Sequence, residues 1–551
     1  MFTVHYNKKT GLQDIRDAFY EDEFVAIFAD GTPKSEEPMQ ETYGTYSFDR
    51  MISNLNGCFA LVLFDKKNGD LYAGRDRLGS KQLYYYVNGD DVIVSTHFMP
   101  CFEAAGKNIN TVALQHYFTF QYVPEPLTIG EGVCAVRAGH FVRFYEGDPV
   151  STRFNVWKPQ PRTKSDKAAF RKEIRAAMKK AVKESIEGAD RVAAFLSGGL
   201  DSSIITALAS KDRPDMTAYT IAFDVPGFSD ADVAARSAGK YGIKHEVVNI
   251  DSATFAAEVP FAVKAMGVPV ADPSAVAVSL IAKAAAGKCD VILSGEGSDE
   301  LWGGYHVYNP RGRVLKIKAI PGPIKKMIWG VVKHASEDTK GKDLIRRGCV
   351  PLRDRFVGNT FLLGEDEKKK LLRDYKPNVR FTDITSSYFD ETKGLSEMDM
   401  MQYIDTNLWL PGDINVVCGK GCSERGLHCE TPFMDNAVTD LARTLTRSEK
   451  VDGGQNKIVL RETFEDIITQ EVKDGKKKGY PVPVRIWLSG ELNEWARNVI
   501  RTADVDKYIN KDAALKYLDK CKADPSNPVY YRKAWAIVVF CVWKKIMIDG
   551  K

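Results

Sequence analysis

A glycine- and serine-rich segment, FLSGGLDSS, begins at Phe195 and joins an apolar strand-like run to a helix-like run. Its two glycines allow a backbone to approach a ligand closely, and the free N–H groups at a helix N-terminus attract an anion. The segment therefore predicts a phosphate-binding loop with serine hydroxyls as additional donors. Asp201 cannot attract phosphate by itself, so its presence favours a bound Mg²⁺ ion that contacts the phosphate oxygens.

This segment differs from the Walker loop and from the dinucleotide turn, because it has neither a Gly-Lys-Ser/Thr nor a GxGxxG pattern. It resembles the SGGxDS pyrophosphate loop of the N-type ATP pyrophosphatases, which cleave ATP to AMP and pyrophosphate. The resemblance implies that ATP is bound here. The residues that it implies for ATP binding are Leu196, Ser197, Gly198, Gly199, Asp201, Ser202 and Ser203.

Four further segments follow in the order that one family shows: TIAFD at 220–224, ADPSA at 271–275, SGEGSDE at 294–300 and LPGD at 410–413. Together they resemble asparagine synthetase. The resemblance adds Ile221, Ser294 and Gly295 to the ATP-binding residues and implies that Asp299 is a second Mg²⁺ ligand. It also implies a catalytic position for Glu296, which is the asparagine synthetase form of a residue that is tyrosine in β-lactam-forming relatives.

Two lysines near the C-terminus also fit this family. NKIVLR at 456–461 and KKGYPVP at 477–483 resemble its paired lysine segments. Ammonium groups would stabilise the charge that develops when a carboxylate attacks the α-phosphorus and pyrophosphate departs. We expect Lys477 to act on the transition state and Lys457 on pyrophosphate. Because Lys476, Lys477 and Lys478 are contiguous, the assignment to Lys477 is open by one position in either direction.

The front of the chain resembles the second half of a class II glutamine amidotransferase domain, on the evidence of LNGCFA at 55–60, AGRDRLG at 73–79 and QLYY at 82–85. In glutamine-dependent relatives, the residue after the initiator Met is a nucleophilic cysteine. Here this residue is Phe2, and the glutamine-binding elements of the family are not recognisable. The resemblance therefore implies a degenerate, truncated Ntn-type domain without glutaminase activity. Ammonia or an amine would then supply the nitrogen.

A second departure from the family concerns the acceptor. The family usually has Glu and Arg where this chain has His428 and Glu430. The exchange would reverse the charge preference near the acceptor, which argues against aspartate as the substrate. His428 is either a general base for an incoming amine or a structural hydrogen-bonding residue.

The elements that must position these residues fall into two predicted domains, 1–155 and 165–551. The first has short strand patterns separated by turns such as Asn68-Gly69 and Gly89-Asp90. After a proline- and charge-rich stretch, strands alternate with helices, which predicts a parallel sheet, and the part beyond about residue 305 is mainly helical. The predicted fold is α/β, with a β-rich amidotransferase-like domain and a parallel-sheet adenylating ATP-pyrophosphatase domain.

Composition narrows the partners. The 551 residues carry a net charge of +4, which indicates no nucleic-acid partner. The longest apolar run, Ala534 to Trp543, is about half a membrane span and no signal peptide is recognisable, so the prediction is a cytoplasmic protein without a membrane partner. The ten cysteines fit a reducing compartment. Three of them, Cys418, Cys422 and Cys429, could bind zinc with His428, but the spacing matches no common site and favours loop or core thiols.

The predicted function is an ATP- and Mg²⁺-dependent ligase that adenylates a small-molecule or peptide carboxylate, releases pyrophosphate and couples the acyl group to ammonia or an amine. A homodimer is compatible with the sequence. One alternative is an intramolecular cyclase of the lactam synthetase or lasso-peptide cyclase type. Another is a pseudoenzyme that binds ATP without turnover, against which the retained acids and lysines argue.

Overall fold

Two antiparallel sheets make up most of the front of the molecule. The computed structural model describes residues 1–13, 17–163, 166–310, 312–335, 339, 341–475 and 482–550. The strand orders are β2-β1-β8-β7-β9 and β11-β10-β6-β5-β4-β3. The strands are β1 Thr3–Asn7, β2 Gly11–Leu12, β3 Tyr20–Glu21, β4 Val25–Gly31, β5 Phe59–Asp65, β6 Leu71–Arg75, β7 Tyr84–Asn88, β8 Asp91–Ser95, β9 Cys134–Ala135, β10 His140–Phe144 and β11 Val150–Arg153.

Successive side chains of these strands project to opposite faces of the sheet, and both faces are buried. Val4 of β1, Phe28 of β4 and Val62 of β5 pack between the two sheets, whereas Ile27 and Leu63 point to the other face of the six-stranded sheet. This period of two explains why the main strands were predictable from the sequence, and both predicted hairpin turns are confirmed. The helices of this region were not predicted: α1 Met39–Thr45, α2 Phe48–Asn54, α3 Phe98–Ala104 and α4 Thr111–Phe120.

A five-stranded parallel sheet forms the centre of the second part. Its order is β14-β13-β12-β15-β16. Four strands confirm the predicted alternation, and the three-residue edge strand β16 was not predicted. The predicted domain boundary between residues 155 and 165 lies between β11 and α5 and stays a prediction. The strands are β12 Val192–Phe195, β13 Thr217–Phe223, β14 Lys244–Ile250, β15 Val291–Leu293 and β16 His428–Glu430.

Helices cover this sheet and continue beyond it. Those on and around the sheet are α5 Lys167–Ile186, α6 Leu200–Asp212, α7 Ala231–Tyr241, α8 Ser252–Met266, α9 Ser274–Ala285 and α10 Ser298–Trp302. The following ones are α11 Arg313–Lys318, α12 Gly322–Val332, α13 Lys342–Cys349, α14 Glu365–Leu371, α15 Thr382–Glu391, α16 Glu397–Ile404, α17 Asn415–Ser423, α18 Asn436–Arg443 and α19 Arg447–Lys450. The last are α20 Ile458–Thr463, α21 Gln470–Asp474, α22 Val484–Ser489, α23 Asn493–Thr502, α24 Lys511–Ala523 and α25 Pro528–Met547. A short hairpin, β17 Val451–Asp452 and β18 Gln455–Asn456, precedes α20.

A π-helical segment, Asp405–Ile414, joins α16 to α17 without a break. It contains the LPGD sequence, and Pro411 inside it cannot donate a backbone hydrogen bond. Such wide helical turns are rare in proteins, and those that occur are often found at functional sites. The wider turn therefore changes the direction in which side chains project from a continuous helix.

The apolar run Ala534 to Trp543 belongs to α25 and is buried in the largest hydrophobic cluster. Its length and hydrophobicity are thus explained by packing against α8, α22, α23 and α24. Among the helices that the described residues form, none has both the length and the apolar character of a membrane span.

One buried histidine predicts a pH dependence of stability. Burial of His116 on α4 lowers its pKa to about 4, against about 6.5 in an unfolded chain. Between these values the unfolded state binds a proton that the folded state does not, so stability falls as the pH falls through this window. From pH 6.5 to pH 5 the expected loss is about 2 kcal/mol. Urea unfolding at both pH values should show a smaller loss for His116→Gln than for the wild type or for the exposed-site control His5→Gln. Equal losses in all three proteins would contradict the assignment.

Candidate active site

A cavity of about 470 Å³ lies at the carboxyl ends of β12 and β15. The chain runs from β12 outward to β13 and β14, and returns to place β15 on the opposite side of β12. Ligands of open α/β sheets bind at such a reversal of strand order. The cavity volume is in the range typical of small-molecule sites.

The glycine-rich loop leaves β12 at the cavity wall. Gly198 has a φ of +75°, and a Cβ there would lie 3.0 Å from the backbone oxygen of Asp230, so a larger residue would strain this turn. Gly199 caps the start of α6. Ser197 N–H donates to Ser202 Oγ at 3.1 Å, which closes the loop onto the first helical turn. Ser197, Asp201 and Ser202 all line the cavity, and the helix start directs N–H groups toward it.

Two aspartates and one lysine meet beside this loop. Lys457 Nζ lies 2.7 Å from Asp201 Oδ2 and 2.6 Å from Asp299 Oδ1. Ser298 Oγ donates to Asp201 Oδ1 at 2.8 Å. The two aspartates come from the first turns of α6 and α10, and Lys457 caps the start of α20, so the fold unites them from distant parts of the chain. Paired carboxylates facing a phosphate loop are a donor set that suits Mg²⁺.

Gly304 leaves room for the side chains of this triad because it has no side chain of its own. It was not predicted from the sequence as a site residue. A Cβ at this position would lie 1.8 Å from Asp299 Oδ1 and 2.3 Å from Lys457 Cε. Its carbonyl accepts a hydrogen bond from Asn456 Nδ2 at 2.5 Å. The glycine thus lets the segment before Lys457 approach the acidic loop closely.

The remaining acids of SGEGSDE have different surroundings. Glu296 lines the cavity. Glu300 is buried beneath it and accepts a hydrogen bond from Tyr305 Oη at 2.5 Å. Burial and the neighbouring Asp299 raise the pKa of Glu300 to about 7.

The other walls of the cavity come from helices α4, α9, α22 and α25 and from the π-helical segment. Arg485 of α22 and Arg532 of α25 line it opposite the loops, and Asp272 lines it at the start of α9. Trp409 lines it from the π-helical segment, and Gln121 reaches it from the end of α4 in the front of the molecule. Gln121 Nε2 also donates to Asp413 Oδ2 at 2.7 Å. No sequence motif marks the two arginines, whereas LPGD contains Asp413.

Some predicted ATP-binding residues lie behind the cavity wall rather than on it. Leu196 is fully buried and its N–H donates to Tyr219 O at 2.8 Å. Ile221 and Ser203 are buried as well, and Ser294 N–H donates to Glu430 O at 2.9 Å. Gly295 lines the cavity beside Asp201.

His428 lies apart from the cluster. Its Nε2 is 2.6 Å from Glu430 Oε1, and Thr32 Oγ1 donates to the same oxygen at 2.7 Å. Neither His428 nor Glu430 is among the described residues that line the cavity. This geometry favours a structural, hydrogen-bonding role for His428 over a role as general base. The charges of His428 and Glu430, on which the argument against aspartate rests, are not among those that the described residues place at the cavity wall.

Lys477, with its neighbours Lys476 and Lys478, lies outside the described residues. Its predicted action on the transition state therefore stays a prediction. Val482 and Arg485, which follow on the chain, line the cavity.

The front of the molecule has a buried Phe2 and a buried cysteine. Phe2 packs against Phe28, with ring centroids 5.9 Å apart, and its N–H donates to Thr96 Oγ1 at 3.0 Å. Burial raises the pKa of the Cys58 thiol to about 12, and the thiol contacts Thr431 Oγ1 at 3.3 Å. A protonated, buried thiol of this kind is a poor nucleophile.

Comparison with known proteins agrees with this architecture. A family model described as asparagine synthase matches residues 173–545, and one described as glutamine amidotransferase domain matches residues 36–155. Asparagine synthetase [glutamine-hydrolyzing] 1 of Bacillus subtilis is 36% identical over 523 residues, 94% of this chain and 82% of that protein. A putative asparagine synthetase [glutamine-hydrolyzing] of Mycobacterium bovis is 32% identical over 535 residues, 95% of this chain and 81% of that protein. Amidase chyE of Penicillium rubens is 24% identical over 585 residues, 96% of this chain and 84% of that protein.

The match to the first family model extends over more than half of the chain and includes both cavity loops, Lys457 and the π-helical segment. The family match, the loop sequences, the parallel sheet and these relatives show that the chain belongs to the asparagine synthase family.

Proposed function

We propose that this protein is an ATP-dependent ligase that activates a carboxylate as its acyl-adenylate and couples it to ammonia or an amine. Membership in the asparagine synthase family supports an ATP-dependent amide-forming ligase. The observation that carries the finer proposal is the triad of Asp201, Asp299 and Lys457 beside a glycine loop on one cavity.

The chemistry explains why ATP is split at the α-phosphorus. A carboxylate oxygen forms a bond to this phosphorus while the bond to pyrophosphate breaks. The nitrogen then attacks the acyl carbon, the bond to AMP breaks, and the nitrogen loses a proton. Adenylation is needed because a carboxylate alone would have to expel oxide, whereas AMP is a good leaving group.

The residues of the loops bind and orient the triphosphate. Ser197 and Ser202 offer hydroxyls, and the N–H groups at the start of α6 face the phosphates. Lys457 stabilises the departing pyrophosphate. Asp201 and Asp299 would hold Mg²⁺, which when bound supplies positive charge to the phosphate oxygens. We assign stabilisation of the transition-state charge to Lys477 on the family resemblance of its segment alone.

The charges of the cavity favour a substrate with both an acidic and a basic group. Arg485 and Arg532 offer guanidinium donors of the kind that bind carboxylates, and Asp272 and Glu296 offer partners for an ammonium group. An amino acid, or a peptide end, has both. This arrangement supports an amino-acid-type carboxylate as the substrate class.

The nitrogen source is proposed to be ammonia or a substrate amine rather than glutamine. The named relatives from bacteria are glutamine-hydrolyzing, whereas in the front region here Cys58 and Cys101 are buried and Cys134 is half-buried. Cys58 and Cys101 both have pKa values raised to about 12 by burial.

The proposal is tested by measuring pyrophosphate release from Mg-ATP with a library of amino acids and other carboxylates. Each acid is assayed alone, with ammonium and with glutamine. We expect that ammonium stimulates turnover of one class of acid at least about tenfold, and that glutamine does not. Production of ADP instead of AMP would contradict the mechanism, and stimulation by glutamine would contradict the nitrogen source. Turnover that is indifferent to ammonium would identify an intramolecular cyclase, and no pyrophosphate release with any acid would identify an ATP-binding pseudoenzyme.

A further inference from the structure

Three buried thiols converge on one point beneath the cavity. Cys418 and Cys422 are one turn apart on α17, and Cys429 is on the adjacent edge strand β16. Their exposed fractions are 3%, 0% and 6%. All three Sγ atoms lie within 4.8 Å of one another, and Cys418 Sγ is 3.3 Å from Cys429 Sγ. The sequence marked these three cysteines as possible zinc ligands, but their spacing favoured loop or core thiols. Their convergence depends on the fold, because strand β16 brings residue 429 to the helix.

The separations suit one ion shared by the three sulfurs. A tetrahedral Zn²⁺ ion with Zn–S bonds of about 2.3 Å holds its sulfur ligands about 3.8 Å apart. A helix with cysteines four positions apart presents two of them on one face. The third thiol comes from a neighbouring strand, so the cluster has the three-dimensional form that a tetrahedral ion requires. Soft thiolate ligands select ions of this type over Mg²⁺.

The surroundings also compensate the charge that such a site would carry. Three thiolates and one divalent ion have a net charge of −1. The buried Lys81, Asn415 and Thr431 line a cavity of about 20 Å³ together with Cys418 and Cys429. The Lys81 ammonium can offset the remaining charge, and this cavity borders two of the three sulfur-bearing residues. Cys58, which also lines it, or a water molecule can complete the coordination.

We propose that Cys418, Cys422 and Cys429 form a binding site for one thiolate-coordinated ion of the Zn²⁺ type. The site ties β16 to α17 and lies directly behind the large cavity, because Cys418 lines both cavities. It is separate from the Asp201 and Asp299 pair, and it does not depend on the proposed ligase activity.

The first test uses the full chain, prepared with a reductant and without a polyhistidine tag. Elemental analysis after loading with Zn²⁺ and desalting should give one zinc ion per chain. Replacement by Co²⁺ should give the thiolate-to-cobalt charge-transfer absorption and the visible d–d bands of a tetrahedral site. Absence of both signals in folded, fully reduced protein would overturn the proposal. A wild-type protein that binds no ion and has two thiols fewer than its ten cysteines would point to a disulfide instead, which also overturns it.

The second test uses matched variants. Cys422→Ser should abolish stoichiometric zinc binding and the cobalt charge-transfer absorption, whereas Cys289→Ser, which changes a buried thiol outside the cluster, should retain both. Chelator should lower the thermal midpoint of the wild type and of Cys289→Ser but not that of Cys422→Ser. If Cys422→Ser does not fold, the wild-type cobalt spectrum still decides the outcome. A cobalt spectrum without thiolate character would place the ion elsewhere and overturn the assignment.

Discussion

The substitution Asp201→Asn is expected to reduce ATP–pyrophosphate exchange by about 10³-fold or more. The new side chain has nearly the same shape, and Ser298 Oγ can still donate to its oxygen. It has lost the negative charge that pairs with Lys457 Nζ and that would hold Mg²⁺ beside the phosphate loop. The effect should therefore appear in the rate of the chemical step. Exchange of radiolabelled pyrophosphate into ATP, with a saturating carboxylate, measures it directly.

A suitable control is Asp215→Asn, which removes a surface aspartate paired with Arg213 at 3.1 Å. This variant should exchange pyrophosphate at the wild-type rate. Both proteins should have wild-type circular dichroism and thermal midpoints within a few degrees. An active Asp201→Asn enzyme would show that the phosphates and their metal ion bind elsewhere.

The second large effect is expected for Gly304→Ala, which adds one methyl group. The Cβ would overlap Asp299 Oδ1 and Lys457 Cε, so at least one partner of the triad must move by about an ångström. Displacements of this size around reacting groups cost about 10²-fold in rate. We expect this loss in kcat with intact secondary structure, because the backbone of Gly304 has no unusual conformation that alanine could not adopt. Steady-state kinetics with Mg-ATP varied separate this loss from a change in KM.

The matched control is Gly330→Ala in α12, where an added Cβ meets no atom of the described residues within 4 Å. Alanine in a helix is favoured over glycine by up to about 1 kcal/mol, so this variant should be active and at least as stable as the wild type. Wild-type kcat in Gly304→Ala would show that the close approach of the Lys457 segment to the acidic loop has no role in catalysis.

The parts of the site that could be predicted are those that are contiguous in sequence. FLSGGLDSS and SGEGSDE each end a strand, and adjacent parallel strands bring their carboxyl ends to one edge. The family resemblance implied that Asp201 and Asp299 both bind Mg²⁺, and in the structure they share Lys457. The strands themselves were visible because period-two burial and apolar runs are local properties.

The parts that could not be predicted depend on contacts between distant segments. Arg485 and Arg532 lie on ordinary helices, and their position at the cavity follows from how α22 and α25 pack. Gly304 is one of many glycines, and its importance can be recognised only once the position of Lys457 beside it is known. His428 was expected near the acceptor on its alignment with the family, but its place on the outer strand β16 turns it toward Glu430. Three residues are too few for a strand to be recognised by its pattern.

The position of α25 has a consequence for how the chain is synthesised. This helix, Pro528–Met547, supplies Arg532 and Trp535 to the cavity wall and packs on helices that follow β14 and β16 alike. Domains usually fold as they emerge from the ribosome, beginning with the N-terminal segments. Here strands β12 to β15 are complete by residue 293, but the cavity edge of the sheet stays uncovered until residues beyond 527 have left the ribosome. A nascent chain would thus keep an apolar groove open to solvent and to chaperones from the synthesis of α8 and β15 until α25 is released.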